Sequence, residues 1–170
     1  MIRFLAWFFG LLLVLFLAEL TAPVQRLVVV PWTTLLAHTS AFLVQLFDSS
    51  VASHGRVMHN VRTGAGISIE AGCNGIEACI VLTAALMAYK ADLAAKLKGL
   101  VAGILAIQAV NVLRVISLYY LVQWNAQVFE FAHLYLWQAL IMLDVVVVWL
   151  LWLRWVTGRS FAQDTPARAA

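Results

Sequence analysis

The sequence predicts an all-α integral membrane protein, a polytopic bundle of about four transmembrane helices with an outer interfacial amphipathic helix and a short extracytoplasmic extended segment. Of the 170 residues, 64% are hydrophobic and only 11% are charged. Soluble domains are about half apolar and about a quarter charged. The apolar residues form long runs, and basic residues flank these runs. The net charge of +3 is small. The placement of the basic residues beside the apolar runs indicates orientation in a membrane and not nucleic-acid binding.

Four apolar runs are candidates for the spans: about residues 4–18, 76–89, 97–122 and 134–155. A hydrocarbon core of ~30 Å needs ~20 helical residues, so the first two runs must recruit flanking residues. The first run is interpreted as an uncleaved span, because the residues after it form a poor cleavage site. We expect one transmembrane domain over 1–158 and a disordered cytoplasmic tail over 159–170.

The distribution of basic residues predicts the direction of the spans. The side with more Lys and Arg is the cytoplasmic side. The thiol of Cys73 and the end of the last span at His133 then face outward. The cytoplasmic group is Arg3, Lys90, Lys96, Lys98, Arg154, Arg159 and Arg168, against Arg26, Arg56 and Arg62 outside.

Two further elements are expected on the outer side. Residues 32–47 carry their large apolar side chains along one helical stripe, which predicts a helix lying in the outer interface. A span at this place would need the amino terminus outside or would move Cys73 to the cytoplasm. Residues 66–70 alternate between polar and apolar side chains and predict a short extended segment that leads to Cys73.

Cys73 is the candidate nucleophile. Asn74, followed by Glu77 three residues later, resembles a capping box with Asn74 as the N-cap of the second span. A thiol just before a helix N-terminus is favoured as thiolate, although the Glu77 carboxylate acts against this. The alternative is that Cys73 is a small apolar residue at a helix start. Cys79, inside the apolar run, is predicted to be inert.

Arg114 is a cation inside a predicted span. Gln108, Asn111 and Arg114 recur every three residues and form a polar wall on one helix. A cation at this depth needs a protein partner or water, so we expect a function for it. The alternative is that the side chain snorkels to the outer headgroups. Pairing with Asp144 of the last span is a further hypothesis.

His133 stands where the predicted outer loop, residues 123–132, enters the last span. Its imidazole can take a proton from a thiol and return it to a leaving amine. The alternative is an interfacial histidine that only forms hydrogen bonds. The remaining histidines, His38, His54 and His59, match no tight ligand spacing, so no metal site is predicted.

These residues resemble the motifs of the exosortase/archaeosortase family of membrane transpeptidases. The run from Ala71 to Ile76 is similar to the Cys-Ser-Gly motif of that family, with Asn74 in place of Ser. The run from Asn111 to Arg114 is similar to its Asn-x-x-Arg motif, and His133 to its third invariant residue. In size the chain most resembles a short exosortase of type H.

The resemblance implies a role for each of these residues. Cys73 is the nucleophile, His133 the general acid and base, and Arg114 stabilises the oxyanion or the substrate, with Asn74, Gly75 and Asn111 in support. No cofactor or metal is implied. The implied substrates are exported proteins of Gram-negative bacteria whose C-terminal sorting signal has a short motif ending in Trp-Gly, a transmembrane helix and a basic cluster. The implied location is the cell inner membrane, with lipid and an unknown acceptor nucleophile as partners.

Two other classes of function stay open at this point. A membrane thiol–disulfide oxidoreductase would use a Cys-x-x-Cys pair, whereas Cys73 and Cys79 are six residues apart. On one helix this spacing separates them by ~9 Å, too far for a disulfide. A non-catalytic membrane assembly subunit is the third class.

Overall fold

The computed structural model describes residues 2–163, and the side chains of residues 2–158. It contains five helices and three short strands. The helices are α1 (Ile2–Glu19), α2 (Ala22–Gln45), α3 (Ile76–Ala88), α4 (Leu93–Trp124) and α5, which begins at Ala126 and ends at Gln163. The strands are β1 (Val51–His54), β2 (Val57–Asn60) and β3 (Gly66–Ser68).

The chain is a polytopic helical membrane protein, as predicted. Four of the described helices are long and apolar enough to cross a membrane: α1, α2, α4 and the Ala126–Gly158 part of α5. The predicted spans at 4–18, 97–122 and 134–155 lie in three of these helices. The predicted span at 76–89 is the 13-residue helix α3, which is only ~20 Å long and shorter than a hydrocarbon core.

The last helix overlaps the predicted tail. Residues 159–163 continue α5, whereas residues 164–170 lie outside the described residues. The predicted disorder over residues 159–170 stays a prediction.

Helix α2 is longer than the sequence predicted. It begins at Ala22, well before Trp32, with Pro23 in its first turn, where the missing N–H is tolerated. A π-helical turn over Gln25–Val29 precedes Pro31. This turn accommodates the proline, whose ring cannot donate to the carbonyl four residues earlier and would collide with it. The prediction that this segment lies in the interface stays a prediction.

Helices α1 and α3 pack against each other and define the two ends of the bundle. Arg3, Lys90 and Lys96 line one cavity where α1 begins and α3 ends. Cys73 precedes the other end of α3, about 20 Å away along the helix axis. Three residues of the predicted cytoplasmic group therefore lie together at a basic end, opposite the Cys73 end.

A small antiparallel sheet covers the Cys73 end of the predicted helical bundle. The strand order is β1-β2-β3, and Met58 of β2 is paired with Ile67 of β3. The predicted extended segment at 66–70 is confirmed by β3, but the β1–β2 hairpin was not predicted. The sheet packs through Met58 and Ile69 on α2 and α4, where Leu36 and Tyr119 belong to the same core.

The basic end is held by apolar packing. Trp152 of α5 lies against Gly99 of α4, and its Nε1 donates to the carbonyl of Ala95 at 3.0 Å. Leu82 of α3 fills the space beside Gly103. These close contacts fix α3, α4 and α5 relative to one another, and those three helices deliver the residues of the other end.

Candidate active site

Cys73 lies in a tight loop between β3 and α3. Its backbone N–H donates to the carbonyl of Glu70 at 3.0 Å, closing a turn. Gly72 and Gly75 flank it with φ angles of 83° and 76°, a left-handed conformation that glycine adopts without strain. The two glycines therefore present the thiol at the top of a sharply bent loop.

The start of α3 differs by one residue from the prediction. Gly75, and not Asn74, is the N-cap. The Asn74 side chain still accepts from the N–H of Ile76 at 3.0 Å. The Glu77 carboxylate accepts from the N–H of Gly72 and does not complete the predicted capping box. Glu77 therefore braces the loop that carries the thiol.

Asn74 also anchors the loop to α2. It is fully buried, and its amide donates to Thr33 Oγ1 at 3.2 Å. Trp32 donates from its indole nitrogen to the carbonyl of Asn74, also at 3.2 Å. Sequence analysis missed Trp32 and Thr33 as residues of the site, because no local pattern links them to a loop about forty positions later in the chain.

The predicted supporting residues Gly75 and Asn111 meet on the other side of the loop. A Cβ atom on Gly75 would lie 2.8 Å from Gln108 Nε2 and 3.1 Å from Asn111 Nδ2. Asn111 is fully buried, and its Oδ1 has no hydrogen-bond partner among the described residues. The side chains of Gln108 and Asn111 thus lie so close to Gly75 that a larger residue at this position would force them to move.

The structure brings the three predicted catalytic residues together. Cys73 Sγ lies 3.2 Å from His133 Nε2. Arg114 donates from Nη2 to the sulfur and from Nη1 to the carbonyl of Gly72, both at 3.4 Å. Arg114 is only 2% exposed, so the alternative in which it snorkels to the headgroups is wrong.

The hypothesis that Arg114 pairs with Asp144 is also wrong. The guanidinium is directed at the Cys73 loop. The Asp144 Oδ2 atom is buried and has no hydrogen-bond partner among the residues that the structure describes. The charge of Arg114 is therefore available to the loop, because no carboxylate on α5 neutralises it.

His133 lies in a helix that also contains residues 126–132, which were predicted to belong to the outer loop. After Asn125, α5 starts at once, and His133 lies in a π-helical turn over Ala132–Leu136. Such turns recur at functional sites. The ring of Phe129 stacks on the imidazole with centroids 5.6 Å apart. Sequence analysis missed Phe129. Phe129 lies four residues before His133, a spacing that makes the two side chains neighbours on a helix. This signal was not used because residues 123–132 were predicted to be a loop.

Burial dominates the electrostatics of the thiol. It raises the pKa of Cys73 above the ordinary value, while the Arg114 guanidinium acts in the opposite direction and the carboxylates of Glu77 and Glu70 add to the increase. Burial and the two carboxylates thus act against the thiolate that the helix N-terminus was expected to favour. The imidazole of His133 lies in contact with the sulfur, in position to receive the thiol proton.

A cavity of about 210 Å³ opens beside these groups. Its walls are β3, the apolar side chains of α4 and the start of α5. The residues lining it are Gly66, Ile67, Ser68, Ile69, Cys73, Arg114, Val115, Leu118, Val122, Phe129 and His133.

The second cysteine lies away from this cavity. Cys79 is a free thiol on α3 and accepts a contact from Gln108 Nε2 at 3.5 Å. Among the residues that the structure describes, no group of three or more His, Cys, Asp or Glu side chains is arranged to hold a metal ion.

Comparison with known proteins agrees with this class of site. A family model described as Transmembrane exosortase (Exosortase_EpsH) matches residues 3–152. The chain therefore belongs to the transmembrane exosortase family, and the family predicted from the sequence is confirmed. Members of this family are cysteine-peptidase-like membrane proteins that process exported proteins carrying sorting signals. No curated protein and no solved structure matches the chain.

Proposed function

We propose that this exosortase is a membrane cysteine transpeptidase. It cleaves the C-terminal sorting signal of an exported protein through an acyl-enzyme on Cys73 and transfers the protein to an acceptor. One observation carries the proposal: the sulfur of Cys73 lies within 3.4 Å of both His133 Nε2 and Arg114 Nη2, beside an open cavity. A base in contact with a thiol, and a fixed cation beside both, is the arrangement that acyl transfer needs.

In the first step Cys73 attacks the scissile carbonyl. As the carbon–sulfur bond forms, the thiol proton moves to His133 Nε2, and the carbonyl oxygen becomes an oxyanion. Arg114 stabilises this charge, and because it is already buried and oriented, little reorganisation is needed. The carbon–nitrogen bond then breaks, and His133 returns the proton to the leaving amine. The tail helix departs, and a thioester remains on Cys73.

In the second step an acceptor nucleophile attacks the thioester. His133 removes a proton from the acceptor, and the carbon–sulfur bond breaks. The sulfur leaves as thiolate and regains a proton from the imidazolium. The exported protein is then joined to the acceptor through its new C-terminal carbonyl. Water in place of the acceptor would give hydrolysis.

The supporting residues act through the position of the loop. Asn74 ties it to α2 through Thr33. Gly75 and Asn111 let α4 approach it closely. The thiol therefore moves little relative to Arg114 and His133, and such fixed placement contributes much of the rate in bound reactants.

The proposed substrates are exported proteins with a short motif ending in Trp-Gly, a transmembrane helix and a basic cluster. We place the enzyme in the cell inner membrane with Cys73 facing the periplasm. The cluster of Arg3, Lys90 and Lys96 at the far end supports this orientation, since positive residues accumulate on the cytoplasmic side. A substrate anchored by its own helix meets the site in two dimensions, which reduces the entropic barrier.

The test uses the two cysteines of the chain as a matched pair. A reporter with the Trp-Gly motif, an apolar helix and a basic cluster is co-expressed with the wild type, Cys73→Ser or Cys79→Ser. We expect loss of the tail with the wild type and Cys79→Ser, and an intact reporter with Cys73→Ser. Processing by a well-expressed Cys73→Ser protein would favour a non-catalytic subunit. Loss in Cys79→Ser alone would reject the assignment of Cys73.

A further inference from the structure

Within the described part of the chain, no strand pairs with the edge of β3 that faces away from β2. On the inner edge, the carbonyl of Ala65 accepts from Asn60 at 2.8 Å, and the N–H of Ile69 donates to Arg56 at 3.0 Å. Residues of an antiparallel strand alternate in the side to which their N–H and C=O groups point. Positions 65, 67 and 69 therefore face β2, and Gly66 and Ser68 direct these groups to the outer edge.

This outer edge borders the active-site cavity. Gly66 and Ser68 line the same cavity as Cys73 and His133. Exposed strand edges are normally protected by lysine, proline or a bulge. Here both residues are exposed and small, so nothing on their side chains shields the backbone from a second strand.

The other walls of the cavity suit an extended peptide. Phe129 and His133 of α5 also line the cavity, together with apolar side chains of α4, among them Val115 and Leu118. One wall thus offers hydrogen-bonding backbone, and the others offer apolar and aromatic contacts. Peptides that add a strand to a sheet edge use this combination, in which the main chain supplies affinity and alternate side chains supply specificity.

We propose that the motif segment of the sorting signal binds as a fourth strand on β3, pairing with Gly66 and Ser68, and that this pairing brings the scissile carbonyl to Cys73. The inference rests on the proposed function, because it assigns the binding mode of that substrate. The occupant is the stretch just before the tail helix, since only that stretch must reach the thiol. Backbone pairing explains how one site can accept different proteins that share a very short motif.

Two serine-to-proline substitutions test the pairing. Proline removes the N–H donor but is tolerated in edge strands where that N–H points outward. Ser68→Pro removes an outward donor inside the cavity. Ser53→Pro is the matched control on the opposite edge, because the bond from Val61 to the carbonyl of Ser50 makes Ser53 point away from β2 as well.

With purified protein in lipid nanodiscs and the Trp-Gly reporter, we expect Ser68→Pro to lower kcat/KM at least ~10-fold, mainly through KM. Ser53→Pro should stay within ~2-fold of the wild type. Both variants should react with iodoacetamide at Cys73 like the wild type, because neither substitution replaces Cys73, Arg114 or His133. Wild-type kinetics in Ser68→Pro, or equal losses in both variants, would overturn the inference.

Hydrogen exchange gives a second test that needs no proline. The reporter is bound to the Cys73→Ala protein, and exchange is measured at single amides of β3. We expect the amides of Gly66 and Ser68 to become protected, and those of Ile67 and Ile69, which already face β2, to change little. No added protection with the reporter saturating the protein would reject strand pairing.

These results separate the two proposals. If Cys73→Ser still processes the reporter, the acyl-transfer function fails whatever β3 does. If Cys73→Ser is inactive while Ser68→Pro is normal and the β3 amides stay unprotected, only the binding mode fails.

Discussion

The two ends of the bundle are stabilised by different kinds of contact. At the basic end, Trp152 packs on Gly99 and edge-on against Tyr89, with ring centroids 5.6 Å apart. At the Cys73 end, buried polar groups stand beside the apolar core of the sheet and helices. Among the described residues, some of them keep atoms without a hydrogen-bond partner, such as Asn111 Oδ1 and Arg114 Nε. Buried polar atoms without partners cost stability.

We infer from this difference that stability and the geometry of the candidate site depend on different contacts. The basic end is rigid because of close apolar contacts. Such contacts are sensitive to any change in side-chain volume. At the Cys73 end, hydrogen bonds with polar groups of α2 and α4 hold the loop that carries the thiol. These bonds fix the geometry of the loop at the expense of stability. Substitutions at the two ends should therefore separate activity from stability.

The largest expected effect on activity is at His133. His133→Gln keeps a polar side chain of similar size but removes the base that contacts the sulfur at 3.2 Å. We expect a 10²- to 10⁴-fold loss of reporter cleavage, with the thermal midpoint in detergent changed little. Cleavage within a few-fold of the wild type would show that the proton goes elsewhere and would remove the contrast between the two ends.

A pair of glycine substitutions sharpens the comparison. Gly99→Val forces a branched side chain into the ring of Trp152, and such overpacking costs ~1–3 kcal/mol of stability. Cleavage per folded molecule should be retained. Gly75→Ala is strained by its φ of 76° and displaces the amides of Gln108 and Asn111.

The measurements for this pair are the thermal midpoint and the specific cleavage rate. For Gly75→Ala we expect a loss of cleavage of about 10²-fold, since a displacement of ~1 Å at a catalytic group has that size. The comparison breaks if Gly99→Val abolishes cleavage in protein that is still folded, or if Gly75→Ala cleaves normally.

A smaller effect concerns the pH at which the thiol reacts. Because burial raises the pKa of Cys73, its rate of alkylation by iodoacetamide should rise with a midpoint above the ~8.5 of an ordinary thiol. Arg114→Gln removes the group that lowers this pKa, so the midpoint should move further up. Glu77→Gln removes a group that raises it, so the midpoint should move down.

Rates are measured in the Cys79→Ser background so that Cys73 is the only thiol of the chain. A wild-type midpoint below that of a free thiol, or a downward shift in Arg114→Gln, would contradict the account of the electrostatics.

The smallest effect is expected at Phe129. Its ring stacks on the imidazole of His133 but touches no reacting atom in the proposed mechanism. Phe129→Leu should lower cleavage only a few-fold, in line with the ~0.5–1.5 kcal/mol that an aromatic pair contributes. If the loss equals that of His133→Gln, Phe129 fixes the base far more strongly than we infer.

The candidate catalytic residues could be predicted from the sequence because they are polar groups in apolar surroundings. Arg114 lies inside a long apolar run, where a cation needs a partner or water. Gly72 and Gly75 on either side of the thiol indicate a bent loop. The same principle misled in the case of Asp144, whose charge suggested a partner for Arg114 but has none among the described groups.

Other features depend on contacts that no local pattern encodes. The bonds from Trp32 and Thr33 to Asn74 join residues about forty positions apart. The β1–β2 hairpin turns at Gly55, whose φ is 55°. The glycine is visible in the sequence, but the four-residue strands on either side of it are too short to show a clear strand pattern. The start of α2 was missed because only its apolar stripe was considered, and not Pro23 as a first-turn residue.

The most direct test of the central claim is the mass of a covalent intermediate. Wild-type protein is mixed with the reporter in the absence of an acceptor, stopped with acid, digested and examined by mass spectrometry. We predict a hydroxylamine-sensitive thioester that joins the new C-terminal carbonyl of the reporter to the Cys73 peptide, and none in Cys73→Ser. Cleavage without any adduct on Cys73, or with the adduct on another residue, would contradict the account.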